Sequence, residues 1–171
     1  MLSIPEYIRA SDSISISTTI ISPNLPKITA APQMNTGKQG EEVVAQWLTH
    51  RGGKILHHRW RWKRGEIDLI AIEADTLLFI EVKTRNRANW DADGLLAITP
   101  QKQATIVRSA ELFLLKYPHL SEYPCRFDVA IVRHQPIDRS IVGIPLQIVT
   151  DLTTDERWLL LDYITSAFDG V

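Results

Sequence analysis

Two strand-like runs, Glu66 to Glu73 and Thr76 to Thr84, are separated by almost nothing and read as a hairpin. With the turn centred between Ala74 and Asp75, opposed residues have numbers that sum to 149. Asp68 then faces Glu81, Glu66 faces Lys83 and Ile70 faces Phe79, and opposed residues project from the same side of an antiparallel pair. The other side, Ile67, Leu69 and Ala71 against Val82, Ile80 and Leu78, is wholly apolar and is expected in the core. A turn with an odd number of residues would carry charge into that apolar face, so the pattern selects an even one. Two carboxylates with Cβ atoms about 4.5 to 5.5 Å apart repel each other. A bound cation, a proton on one acid, or Lys83 on the neighbouring position must compensate. Hard oxygen ligands with open positions suit Mg²⁺ or Mn²⁺, which commonly take one or two carboxylates together with a phosphate oxygen of the substrate. A lysine beside them can orient or deprotonate an attacking water, or stabilise charge growing at phosphorus. That combination is the apparatus of metal-assisted phosphodiester hydrolysis, whereas the plainer alternative is a cross-strand charge network in which Lys83 neutralises two acids.

The elements that would hold this group follow from local patterning. Gly37 to His50 has Val43, Val44, Trp47 and Leu48 on one helical face, with Asn35 or Thr36 as N-cap and Gly52-Gly53 as the stop. Glu41 lies three and seven residues before Val44 and Leu48 and so borders the buried face, whereas Glu42 points outward. Lys54 to Arg61 reads as a strand. Thr99-Pro100 opens a second helix with Ile106, Val107, Ala110, Phe113 and Leu114 inward, and Pro118 ends it. Arg126 to Val132 and Leu146 to Thr150 read as strands, and Thr154 to Ala167 as a closing helix. Asp128 is expected in a structural ion pair, Cys125 as a buried strand-entry residue, and Lys102 as either a phosphate contact or a solvated charge.

Val43 to Gly65 spans 23 residues without an acid and contains Arg51, Lys54, Arg59, Arg61, Lys63 and Arg64. Basic side chains displace counterions from phosphates, and the interleaved Trp60 and Trp62 offer rings on which unpaired bases stack. One of the two tryptophans can instead serve the core, because alternate strand residues face opposite ways. Arg85 extends the basic surface. His57 and His58 are adjacent on a strand, point apart and so do not make a two-histidine metal site.

The whole chain is not a polycation: 171 residues carry 19 Lys and Arg against 20 Asp and Glu, a formal net charge of -1. Its 44% hydrophobic content is ordinary for one globular domain, and no apolar run approaches the roughly 18 residues of a membrane helix. A single cysteine, no basic leader followed by an apolar core, and no membrane segment make a cytoplasmic protein the expectation. Residues 1–36, rich in serine and proline, are expected to form a disordered extension, leaving 37–171 as a single domain.

The order Gly40-Glu41-Glu42, Gly65-Glu66-Ile67-Asp68-Leu69-Ile70, Phe79-Ile80-Glu81-Val82-Lys83-Thr84-Arg85, Lys102 and Arg126-Phe127-Asp128-Val129 resembles the YraN-like UPF0102 family. Proteins of this family are similar to PD-(D/E)XK nucleases of the restriction-endonuclease-like fold, with archaeal Holliday junction resolvases among their relatives. The resemblance covers about Gly37 to Val132. It implies an α/β domain with a central mixed β-sheet, an antiparallel hairpin and flanking helices. It further implies Asp68 and Glu81 as ligands of Mg²⁺ or Mn²⁺, the Val82 backbone carbonyl as a further ligand, Lys83 as catalytic lysine and Glu41 as the helix acid that completes the site. DNA, more than RNA, would be the substrate, with branched DNA among its forms, contacted by Arg59, Trp60, Arg61, Lys63, Arg64, Arg85 and Lys102, and with a homodimer suited to cutting two strands. The alternative is an accessory module of DNA repair or uptake that keeps the nuclease fold and binds without turnover; a protein-interaction domain is a third reading. The chain departs from the family pattern at Arg59, where asparagine is usual.

Overall fold

The alternating pattern of residues 65–85 builds the centre of the molecule. In the computed structural model, which describes residues 36–63, 65–85, 98–141, 143–151 and 155–170, β2 (Gly65–Glu73) and β3 (Thr76–Arg85) form the expected hairpin. Leu69 lies opposite Ile80, Ile70 opposite Phe79 and Glu73 opposite Thr76, which is the predicted register with an even, two-residue turn. Ala74 occupies that turn at φ 54°, so the turn forms without the glycine or asparagine that usually marks one. Of the expected N-terminal extension only Thr36 falls among the described residues, and Arg64 does not.

The sheet grows outward from the hairpin on both sides. β1 (Lys54–Trp62) lies antiparallel to β2, and β4 (Cys125–Pro136) runs parallel beside β3. β6 (Glu156–Ile164) pairs antiparallel with β4, and β5 (Gln147–Asp151) forms the far edge, giving the order β1-β2-β3-β4-β6-β5. A parallel pair needs a crossover, and α2 (Pro100–Lys116) supplies it between β3 and β4. Thr99 caps α2 by accepting from the Lys102 amide, Pro100 sits in its first turn, and the helix ends before Pro118.

The two helices cover opposite faces. Val43, Val44 and Leu48 of α1 (Thr36–His50) pack on Leu69, Ala71, Leu78, Ile80, Ala130, Val132, Trp158 and Leu160. Ile106, Val107, Ala110 and Phe113 of α2 pack on Ile70, Leu77, Phe79 and Phe127. This is the mixed six-stranded α/β arrangement of a restriction-endonuclease-like core. Among the described residues, no helix is long and apolar enough to cross a membrane.

Three expectations require correction. The segment read as a closing helix from Thr154 to Ala167 is strand β6, inserted between β4 and β5. Trp158, Leu159 and Leu160 are all buried there, and a short run apolar on both sides has no periodicity to separate helix from strand. Ile67 joins the α2 side although Leu69 joins the α1 side, so the strict alternation of β2 breaks at Asp68. Cys125 does open β4, but it is exposed.

Gly40 sets the distance between α1 and β3. A Cβ at this position would stand 1.9 Å from Thr84 Oγ1 and 3.2 Å from Thr84 Cβ. Helix propensity alone favours alanine over glycine by about 1 kcal/mol. The steric conflict is larger, and Gly40→Ala is expected to destabilise the protein by about 1 to 3 kcal/mol in urea unfolding. Thr84→Ala in the same chain should restore most of the loss; an equal loss in both backgrounds would show that the contact with Thr84 is not the cause.

Candidate active site

The paired backbone of the hairpin stops at Leu69 and Ile80, one residue short of Asp68 and Glu81. Beyond that point the Val82 amide donates to Asp68 Oδ2 at 2.8 Å, so a side chain takes the place of a ladder bond and draws the Asp68 carboxyl to β3. Glu81 is 4% exposed, and Lys83 Nζ lies 2.5 Å from its Oε1. Lys102 Nζ, from the first turn of α2, stands 3.0 Å from Glu81 Oε2. That contact is an ion pair without hydrogen-bond alignment, which leaves Oε2 buried with no hydrogen-bond partner. Of the two roles open to Lys102, the structure therefore gives neither a solvated charge nor an isolated phosphate contact, but a second cation on Glu81.

Asp68 has no ion pair among the described residues. Burial, followed by the charge of Glu81, pushes its carboxyl up to about 7 from an ordinary 3.8; Glu41 adds to the rise, while the Val82 amide and Lys102 oppose it. A carboxyl in this position is poised between a proton and a cation.

Glu41 is placed on the buried border of α1, 5% exposed, but its carboxylate is engaged by Arg59. Arg59 Nε donates to both oxygens, at 2.9 and 2.7 Å, and Nη2 donates at 2.7 Å. Arg59 lies in mid-strand with φ 48°, a left-handed conformation rare outside glycine and asparagine, and β1 pairs with β2 on either side of it through His58 and Trp60. Arg59 thus holds the helix acid and is not free for a phosphate. Among the described residues, no three His, Cys, Asp or Glu side chains converge to hold a metal ion, and the carboxylate of Glu41, near enough to act on Asp68, is held by Arg59. The donor set that does come together is two carboxylates, one of them with an unbonded buried oxygen, beside the backbone of Val82. That set fits Mg²⁺ or Mn²⁺, ions that keep several water ligands of their own.

Glu66, expected opposite Lys83, pairs instead with Arg61 at 3.0 Å. Arg51 is held by Glu73 at 2.9 Å, so three of the basic residues in the acid-free stretch meet acids brought from elsewhere. Trp60 is buried under Phe113, at 5.4 Å between ring centroids, and is a core residue rather than a nucleic-acid contact. Trp60 and Trp62, two residues apart, share a face and do not point opposite ways as expected; their rings lie parallel, 6.4 Å apart at 8°, and Trp62, last in β1, is the exposed one. Lys63 is exposed beside it, Arg85 is half-buried at the end of β3, and Arg64 lies outside the described residues. His57 packs among Phe113 and Tyr117, where burial, and then Lys116, hold its pKa below the usual value. Asp128 is fully buried in an ion pair with Arg126, as expected. Arg108 of α2 faces the same cavity as Trp62 and Lys63; it lies outside the apolar stripe of its helix, and nothing in the sequence singles it out.

Comparison with known proteins finds one family. The model of the family described as "Uncharacterised protein family UPF0102" matches residues 40–132. A UPF0102 protein of Synechococcus sp. (strain JA-3-3Ab) is 41% identical over 139 residues, covering 81% of this chain and 93% of the relative. One from Acaryochloris marina is 43% identical over 166 residues, covering 81% and 96%. One from Thermosynechococcus vestitus is 49% identical over 102 residues, covering 59% and 82%.

Proposed function

From the premise that the chain belongs to the UPF0102 family, whose description assigns no activity, we propose that it is a Mg²⁺- or Mn²⁺-dependent endonuclease hydrolysing phosphodiester bonds of DNA. The observation that carries this reading is the Asp68 carboxyl, held by the Val82 amide beside buried Glu81 with its pKa raised to about 7. A fold tolerates such a pair at a cost in stability, and the pair is useful when a divalent cation sits on it. Asp68, Glu81 and the Val82 carbonyl would hold the ion. Bound there, it supplies Lewis-acid polarisation of a phosphoryl oxygen and acidifies water.

The protein's own residues provide the rest. Lys83 and Lys102 approach Glu81 through different oxygens, so two ammonium groups border the place where a phosphate would enter. Lys83 can hold the attacking water through a hydrogen bond and give charge to the developing phosphorane. Lys102, at the N-terminal turn of α2, adds positive charge together with the helix dipole. Lys63 and Arg85 would contact the phosphate backbone, with Arg61 joining them by exchanging Glu66 for a phosphate. Cutting both strands of a duplex would require two copies of the chain.

The Arg59 clamp on Glu41 favours a second reading, a module that binds DNA without turnover, because it occupies the third acid. A panel of linear, flapped and four-way DNA incubated with Mg²⁺ or Mn²⁺ separates the two. The nuclease reading predicts cleavage of at least one substrate and a loss of about 100-fold or more in rate for Lys83→Ala, the scale of removing one aligned charge-stabilising group. Binding of DNA with no cleavage of any substrate would leave the second reading standing and the first refuted.

A further inference from the structure

Between the end of the β1–β2 hairpin and α2 lies a cavity of about 510 Å³ that the metal site does not use. Its size is within the range of small-ligand pockets, roughly 300 to 1,000 Å³. Trp62 forms one wall, Leu112 and Ala104 contribute apolar surface from α2, and Lys63 and Arg108 stand at it with no ion pair to any described residue. Most other cations of the region are paired: Arg51, Arg59, Arg61, Lys83 and Lys102 each meet an acid. The ring of Trp62 is fixed from behind by parallel Trp60, which itself abuts Phe113. The floor is equally constrained, because a Cβ on Gly65 would stand 2.1 Å from Ser109 Oγ. Gln101, on the cavity wall, is the immediate neighbour of Lys102, whose ammonium contacts Glu81. Gly65 is three residues from Asp68 along β2, about 10 Å at the rise of a strand.

A flat aromatic wall, apolar sides and two lining cations with no ion pair among the described residues match a nucleotide: the base stacks and the flanking phosphates meet the cations. A base in a continuous duplex is already stacked on its neighbours and cannot enter. We infer that this cavity receives one unpaired base of the DNA strand, stacked on Trp62 with its phosphates on Lys63 and Arg108, and so selects DNA with unpaired nucleotides near the scissile bond. The inference rests on the reading of the protein as one that acts on DNA.

Fluorescence anisotropy of the full chain in EDTA, with a labelled single-stranded oligonucleotide and a blunt duplex of equal length, tests it. Trp62→Ala is expected to weaken single-strand binding about tenfold, within the range for loss of one base stack, while the duplex changes less than about twofold. Trp62→Phe should retain most of the affinity. Ala104→Phe, at an exposed helical position, should fill the cavity and reproduce the single-strand defect without removing the tryptophan. Arg108→Gln should weaken single-strand binding and flatten its dependence on log salt by about 0.7. Variants that weaken both DNAs equally, or neither, overturn the pocket assignment while leaving DNA binding intact. A wild-type chain that binds neither DNA overturns the pocket and the proposed function together.

Discussion

Asp68→Asn is expected to make the metal-free protein more stable above pH 7, not less. The raised carboxyl means that the folded chain binds a proton more tightly than the unfolded chain between about pH 3.8 and 7. The stabilisation from that proton is complete below the unfolded value and is lost as pH rises through the folded one, so stability should fall across this window. A rise from 3.8 to about 7 corresponds to about 4 kcal/mol at 1.36 kcal/mol per unit, as an order of magnitude. Asparagine keeps an oxygen to accept from the Val82 amide and removes the charge that repels Glu81. Urea unfolding in EDTA from pH 4 to 8 should therefore show a downward slope in the wild type and a flatter line in the variant. A variant less stable than wild type at pH 8 would mean that the carboxylate is a structural acid.

The opposite sign is expected at Asp128, a fully buried acid of β4. Its carboxylate receives Arg126 Nε at 2.9 Å and Nη2 at 2.9 Å, the Tyr163 hydroxyl at 2.8 Å and the Ser166 amide at 3.0 Å. These partners tie β4 to β6 and to the turn after it. Burial, then the charge of Asp128, drive the Tyr163 phenol well above its usual range, so it remains a donor at any working pH. Asp128→Ala leaves the Arg126 guanidinium with only the more distant Glu73, at 3.8 Å, and the half-buried Tyr163 hydroxyl without its acceptor, and is expected to destabilise the fold by about 3 kcal/mol. Thermal and urea unfolding would both report it, and a loss under about 1 kcal/mol would contradict the network's role. Two acids of one sheet, on β2 and β4 with β3 between them, having opposite effects on stability would separate the functional carboxylate from the structural one.

The hairpin and its register were legible because period-two alternation and one apolar face leave a single consistent pairing, even with a turn that lacks glycine. Glu41 was legible as a border acid from its spacing to Val44 and Leu48. Its partner was not, since Arg59 is 18 residues away and reaches it only because the backbone turns to φ 48° there. The basic stretch overstated the free surface: Arg51, Arg59 and Arg61 find acids through pairings no local pattern reports. The two tryptophans share a face, and it is Phe113 of α2 that covers Trp60, while Trp62, at the strand end, is exposed. The sequence of β6 does not distinguish helix from strand because Trp158-Leu159-Leu160 is apolar on both sides, as in an element enclosed by the sheet and its helices. Lys102 was correctly placed in the first turn of α2, while its contact with Glu81 depends on how the crossover docks.

The central claim is that Asp68 and Glu81 form a divalent-cation site. Titration calorimetry of Mn²⁺ into the wild-type chain and Asp68→Asn, at pH 6 and pH 8, tests it most directly. The predicted result is one ion per wild-type chain, bound more tightly at pH 8 because the Asp68 proton is already gone, and no saturable binding to Asp68→Asn. Equal binding to both proteins, or none to the wild type at pH 8, would contradict it.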